Sequence, residues 1–169
     1  MKTSNVTASV KFLLLMISIL VVNSSAIASK APSFELPSDT GEFSLEQYRN
    51  QVVFIDFWAS WCVPCRLSFP WLNEMEARYG EDGFKVIGIN VDHDKAKASK
   101  FLERIPADFE IAYDPEGTVA DMYSLKVMPS SFIIDQEGNL IHKHKGFKAS
   151  DGTRMENMIK DLLEDEKTN

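Results

Sequence analysis

A continuous apolar run, Val52–Trp58, constrains the fold of this chain more than any other feature. Its seven residues are β-branched or aromatic except for Asp56, which is typical of a strand covered on both faces. A second run of this kind is Phe84–Val91, and apolar residues recur at helical spacing over Pro64–Tyr79 between the two. Strand, helix and strand in this order indicate helices packed on a parallel part of a β-sheet.

The remaining segments predict an α/β fold with a central mixed β-sheet flanked by helices. Short apolar pieces on either side of the Asp39-Thr40-Gly41 turn indicate an N-terminal β-hairpin extension. Asp94 is the expected N-cap of a helix that ends at Glu103. The other expected elements are strands at Phe109–Tyr113, Ser131–Ile134 and Leu140–His144, a short helix at Gly117–Tyr123 and a terminal amphipathic helix at Asp151–Glu164.

Residues 1–28 have the three parts of a secretory signal peptide. Lys2 and Lys11 are the only charges, Phe12–Val22 is apolar except for one serine, and Ala26-Ile27-Ala28 is a small-residue cleavage pattern. The apolar part is too short for a helix that crosses a bilayer, although an uncleaved membrane anchor is the alternative. We therefore expect a signal peptide at residues 1–28 and a mature domain at residues 29–169. Export places that domain where disulfides persist, which is the periplasm in a Gram-negative host.

Composition and charge exclude several classes of protein. The chain has 18 basic and 25 acidic residues and a net charge of −7, whereas a nucleic-acid binder needs a basic face. Two cysteines are too few for a disulfide-rich scaffold or a four-thiolate zinc site. Neither a phosphate-binding glycine loop nor a serine-centred nucleophile elbow occurs in the sequence. We expect a monomer that carries no cofactor and no resident metal.

The motif Trp61-Cys62-Val63-Pro64-Cys65 lies between the buried strand and the following helix. Two thiols at this spacing can close a disulfide across one helical turn, and the first faces unpaired N–H groups at the positive helix end. Both effects favour the thiolate of Cys62, which would attack a partner disulfide, while the deeper Cys65 would resolve the mixed disulfide. A structural disulfide, half of a zinc site and a Cu(I)-binding pair completed by a histidine stay open as alternatives.

Asp56 stands out because it is the one polar residue in an apolar strand. A lone buried carboxyl group is costly to ionise, so its pKa rises and it can exchange protons near neutral pH. We predict that Asp56 takes the proton from Cys65 as Cys65 attacks the mixed disulfide. An inert acid that is hydrogen-bonded at a strand end is the alternative.

The run Phe57–Cys65 (FWASWCVPC) resembles the active-site segment of the thioredoxin superfamily. Tyr113–Gly117 and Val127–Asp135 are similar to its exported TlpA/ResA-like branch, and the resemblance covers nearly the whole mature chain. It implies a thioredoxin fold in a redoxin, or AhpC/TSA-like, domain. It also implies that Cys62 and Cys65 are the nucleophilic and resolving thiols, and it places Asp56 at the position of the buried acid of thioredoxins.

The same resemblance implies a set of substrate-binding residues. Pro129 matches the cis-proline that lies against the disulfide and exposes backbone to a bound substrate strand. Met128 precedes it, and Trp61 and Pro64 lie beside the thiols, so all four are expected to contact substrate. Val63 is a departure, because some members that assist cytochrome c maturation have glutamate between the cysteines. Haem-protein thiols are therefore not indicated as the substrate.

Together these features predict an exported thiol–disulfide oxidoreductase that reduces disulfides of partner proteins through a Cys62–Cys65 dithiol. A membrane thiol electron donor would recharge it, because the periplasm is kept oxidising. Contact with the membrane is otherwise expected to be transient or to depend on an uncleaved anchor. A disulfide oxidase or isomerase of the same fold, and a copper-handling metallochaperone, are the alternatives. A peroxidase is disfavoured, because a thiol pair replaces the single peroxidatic cysteine.

Other polar residues give weaker signals. His142 and His144 alternate on the last predicted strand and should share one face, expected to be solvated, with a metal site or pH switch as the alternative. His93 follows a strand end, near the edge where α/β sheets bind ligands. Lys95, Lys97 and Lys100 are expected on the outer face of their helix.

Overall fold

The computed structural model describes residues 29–166, so the predicted signal peptide at residues 1–28 lies outside the described residues. Seven strands and four α-helices follow one another in the order expected from the sequence. The strands are β1 (Glu35–Pro37), β2 (Glu42–Ser44), β3 (Val52–Trp58), β4 (Phe84–Asn90), β5 (Glu110–Tyr113), β6 (Ser130–Ile134) and β7 (Leu140–Lys145). The helices are α1 (Cys65–Tyr79), α2 (Lys95–Leu102), α3 (Thr118–Met122) and α4 (Asp151–Glu166), with single 3₁₀ turns at Leu45–Tyr48 and Gly80–Asp82.

The central sheet is mixed and has the strand order β5-β4-β3-β6-β7. β3 pairs in parallel with β4 and antiparallel with β6, so it has a neighbour on each side, and all seven of its residues are buried. β1 and β2 form the predicted hairpin, a separate two-stranded antiparallel sheet that touches β5 through a bridge from Ser38 to Ala112. The mixed sheet, the flanking helices and the N-terminal hairpin confirm the predicted fold class.

Two hydrophobic cores lie on opposite faces of this sheet. Phe54 and Trp58 of β3 point to the side of α1, α2 and α4, whereas Val53 and Phe57 point to the side of the hairpin and α3. Each large apolar side chain contributes about 1.5–3 kcal/mol to the free energy of folding when it is fully buried. The alternation explains why β3 is apolar throughout, because both of its faces are covered.

Two details of α1 differ from the sequence expectation. The helix begins at Cys65, with Pro64 as its N-cap, because proline fits a helix start but supplies no N–H. Leu67, one of the apolar residues at helical spacing that predict this helix, is 62% exposed. The buried stripe of α1 is Cys65, Ser68, Phe69, Leu72 and Met75, and Leu67 lies off that stripe. Between residues 29 and 166, no helix is long and apolar enough to span a membrane.

Candidate active site

The two cysteines lie at the carboxyl end of β3, where the chain turns into α1. Cys62 and Cys65 form a disulfide with an S–S distance of 2.03 Å and a Cα–Cα distance of 5.4 Å. Cys65 is fully enclosed, and Cys62 is 3% exposed. The backbone N–H of Cys65 donates to the Cys62 sulfur at 3.3 Å. This contact at the start of a helix stabilises negative charge on Cys62 once the disulfide opens.

A buried carboxylate that sequence reasoning missed holds the loop before Cys62. Asp92, at the carboxyl end of β4, accepts hydrogen bonds from the Ser60 backbone N–H at 2.7 Å and from the Ser60 hydroxyl at 2.9 Å. The side-chain amide of Asn90 donates to the same carboxylate at 2.9 Å. Polar residues at 90 and 92, at the end of an apolar strand, were the signal that could have identified this support. The contacts fix the backbone two residues before Cys62.

Asp56 lies in the centre of β3, fully buried on the α1 side of the sheet. The Ser131 hydroxyl donates to its Oδ1 at 2.7 Å, and the Ser68 hydroxyl lies 3.5 Å from its Oδ2. Loss of hydration raises the pKa of Asp56 from its ordinary 3.8 to about 7, although the two hydroxyl contacts act in the opposite direction. The carboxyl group therefore changes its protonation near neutral pH, as the sequence predicts for a buried acid.

Ser68 lies between this acid and the backbone of Cys65. Its hydroxyl is 3.1 Å from the carbonyl oxygen of Cys65 and 3.5 Å from Asp56 Oδ2. Ser68 is 1% exposed and lies one helical turn after Cys65 on α1. The Ser68 hydroxyl therefore lies between the Asp56 carboxyl group and the backbone at the start of α1, inside the buried core.

Apolar side chains surround the disulfide at the surface. Trp61 and Val63 are 65% and 66% exposed, Leu67 is exposed on the same helix start, and Pro64 is also exposed. Trp58, by contrast, is fully buried in the core. Exposed apolar groups of this size beside a reactive centre are typical of a surface that contacts another protein.

The Met128–Pro129 peptide bond is cis, as the family resemblance implies. Pro129 is buried and Met128 half-buried. The next residue, Ser130, pairs with Phe57 in the sheet, so Pro129 lies beside the carboxyl end of β3 from which the cysteine loop continues. The topology therefore brings the predicted substrate-binding residues to one end of the sheet.

The histidines form no part of this arrangement. The His142 and His144 rings share a face, with centroids 6.3 Å apart, but they are half-buried rather than solvated. Helix α4 covers them, because His144 lies 3.2 Å from both Asp151 and Arg154. Exposed His93 contacts the carbonyl oxygen of Pro115 at 2.5 Å. Among residues 29–166, no three His, Cys, Asp or Glu side chains are grouped so that they could hold a metal ion.

Comparison with known proteins identifies the family to which the chain belongs. Residues 27–143 match the model of the AhpC/TSA family. The thiol-disulfide oxidoreductase ResA of Geobacillus thermodenitrificans is 35% identical over 82% of this chain and 77% of its own length. The ResA of Geobacillus kaustophilus is 35% identical over 68% of this chain and 67% of its own length. A crystal structure assigned as the thiol:disulfide interchange protein DsbE of Chlorobium tepidum is 45% identical, covers 80% of this chain and 96% of that chain, and gives a TM-score of 0.79. The chain therefore belongs to the AhpC/TSA family of the thioredoxin superfamily, among relatives of the ResA-type thiol–disulfide oxidoreductases.

Proposed function

We propose that this protein reduces disulfides in partner proteins through the Cys62–Cys65 dithiol. The observation that carries the proposal is the arrangement of three groups: a disulfide at a helix start, its deeper sulfur on Cys65, and the buried Asp56 carboxyl group, which shares the Ser68 hydroxyl with the Cys65 backbone carbonyl. An acid that titrates near pH 7 is suited to accept the proton of a thiol that must become a nucleophile.

The reaction consists of two exchange steps. The Cys62 thiolate attacks one sulfur of the substrate disulfide, forms a mixed disulfide and releases the other substrate sulfur as a thiolate that takes up a proton. The Cys65 thiolate then attacks Cys62 Sγ, forms the Cys62–Cys65 disulfide and expels the second substrate sulfur. The substrate gains two electrons and two protons, and the protein dithiol loses them.

Asp56 supports the second step. A thiol enclosed as deeply as Cys65 loses its proton reluctantly, because burial disfavours the thiolate. The Asp56 carboxylate, held by the Ser68 hydroxyl near the backbone of Cys65, accepts that proton while Cys65 attacks. It then returns the proton to solvent or to the departing substrate thiolate.

The exposed Trp61, Val63 and Leu67 provide an apolar area on which a partner protein can dock. Pro64 belongs to the same surface, and Met128 and Pro129 provide the backbone against which an extended substrate segment lies. The substrate class is therefore a protein disulfide in an accessible segment rather than a small polar metabolite.

The protein acts outside the cytoplasm, in the periplasm of a Gram-negative host, as a monomer. The signal-peptide pattern at residues 1–28 supports this location. A membrane dithiol donor regenerates the reduced form, because the compartment itself is oxidising. N-terminal sequencing of the exported protein tests the first point: the mature chain should begin at Ser29, and a chain that retains residues 1–28 would contradict the cleaved form.

Trapping of the mixed disulfide tests the reaction. The Cys65→Ser variant, incubated with a peptide disulfide, should accumulate an adduct of one peptide half, mapped to Cys62 by mass spectrometry. The Cys62→Ser variant is the matched control and should accumulate little adduct, because Cys65 is fully enclosed. An adduct on Cys65 in this control, with none on Cys62 in the first variant, would reverse the assigned roles.

A further inference from the structure

A groove of about 390 Å³ lies directly beside the cysteine loop. Ser60, two residues before Cys62, forms one wall, and Arg66, immediately after Cys65, forms another. Phe101 of α2 is the floor, and its ring packs on Trp58 at a centroid distance of 4.9 Å. The groove therefore rests on the same aromatic core that supports the active site.

The rim of this groove is cationic. Lys97, Lys100 and Arg104 follow one another at helical spacing along α2 and the turn after it, and Arg66 faces them from α1. Among residues 29–166, no acidic side chain lines the groove. Lys95, Lys97 and Lys100 are exposed on the outer face of their helix, as the sequence predicts, and two of them also border a cavity beside the thiols.

The four cations are unpaired within the part of the chain that the structure describes. None of them has an ion pair or a side-chain hydrogen bond there, whereas Lys95, on the same helix, contacts Asp39 at 3.1 Å and the Tyr113 ring at 3.9 Å. Four like charges around one groove repel one another, and an anionic group inside the groove would relieve that repulsion.

The whole chain is acidic, with a net charge of −7, although this count includes the four cations of the groove. An acidic partner is therefore repelled from most of the surface and attracted at this one groove, which orients it toward the disulfide. From the unpaired cations, the groove and its position we propose that this site binds an acidic segment that flanks the disulfide of the substrate protein. This inference rests on the proposed reductase function and specifies its substrate class.

The test compares two disulfide-linked peptides that differ only beside the disulfide, with Asp and Glu in one and Asn and Gln in the other. Second-order rate constants are measured with the pre-reduced full-length mature protein at low ionic strength. The acidic peptide should react about fivefold faster, the change expected from two exposed ion pairs. This preference should disappear at about 1 M salt, where the Debye length is only about 3 Å.

Lys97→Gln with Lys100→Gln should abolish the preference and leave the rate with the neutral peptide unchanged. The matched control, Lys30→Gln with Lys148→Gln, removes the same charge away from the groove and should retain the preference. The charge-reversal pair Lys97→Glu with Lys100→Glu should invert it. All four positions are exposed, so folding should be unaffected, and circular dichroism verifies this.

Three outcomes would overturn the inference. Equal rates with both peptides would mean that the groove does not recognise acidic segments. Equal loss of the preference in the control variant would assign it to the overall charge of the protein. A preference for anionic phospholipid vesicles, with none for the acidic peptide, would assign the groove to a membrane surface. If the wild-type protein failed to reduce even the neutral peptide, the proposed function itself would be wrong, which separates the two failures.

Discussion

Replacement of Asp56 by asparagine tests the buried acid through protein stability. Burial raises the pKa of Asp56 from 3.8 to about 7, a difference of about 3 pH units. At about 1.36 kcal/mol per unit, the ionised carboxylate costs the native state about 4 kcal/mol relative to the neutral acid. Asparagine has a similar shape and stays neutral, so its variant lacks this cost at every pH.

The sign of the pH dependence follows from the raised pKa. Below about pH 4 the carboxyl group is protonated in both the folded and the unfolded state, and the wild type has its full stability. Between about pH 4 and pH 7 the unfolded chain releases the proton and the folded protein retains it, so the wild type loses stability as the pH rises. Above pH 7 the loss is complete, at about 4 kcal/mol for this one group.

Urea denaturation of the oxidised protein, followed by tryptophan fluorescence between pH 4 and pH 8, measures this loss. The free energy of unfolding of the Asp56→Asn variant should exceed that of the wild type by a difference that grows with pH and reaches up to about 4 kcal/mol. Exposed Glu81→Gln is the control and should follow the wild type. Parallel curves for the wild type and Asp56→Asn would refute the buried, raised-pKa carboxyl group.

The same variant tests the proton transfer. Resolution of a preformed mixed disulfide on Cys62 should slow by about 100-fold or more, the usual contribution of general base catalysis. Its rate should also lose the pH dependence near neutrality, whereas formation of the mixed disulfide should change little. An unchanged rate and pH profile for resolution would remove Asp56 from the mechanism.

Three other substitutions have defined consequences. Ser131→Ala removes a hydrogen bond that lowers the pKa of Asp56, so the midpoint of the resolution rate should move to higher pH in stopped-flow measurements. Gly88→Ala places a Cβ 2.8 Å from Ile111 Cδ1 in the core and should lower the free energy of unfolding by about 1–3 kcal/mol in urea titrations. Trp61→Ala should lower kcat/KM for a folded protein disulfide severalfold while the rate with a small disulfide stays the same, because this exposed ring contacts the partner rather than the reacting sulfurs.

Hydrophobic pattern was sufficient to predict the framework of the fold. Val52–Trp58 forms β3 with the predicted bounds, because a continuous β-branched and aromatic run has no stable alternative to burial on both faces. Asp94 caps α2 as expected, since its side chain accepts the Ala96 N–H at 3.0 Å. These features depend on local sequence and on the general rule that apolar faces must be covered.

Contacts between distant segments could not be read from the sequence in the same way. The hydrogen bonds from Ser60 to Asp92 join residues far apart in the chain, and they exist only because β3 and β4 are adjacent and parallel. The two histidines on β7 were expected to face solvent, and only the packing of α4 over that strand half-buries them. The cationic groove likewise needs α1 and α2 side by side.

The reduction potential of the Cys62–Cys65 couple is the most direct test of the central claim. Equilibration of the protein with defined dithiothreitol or glutathione mixtures, followed by counting of free thiols, gives this value. A protein that reduces partner disulfides should have a potential near that of thioredoxin, about −270 mV. A potential near about −120 mV would contradict the reductase, because such a couple donates disulfides to its partners.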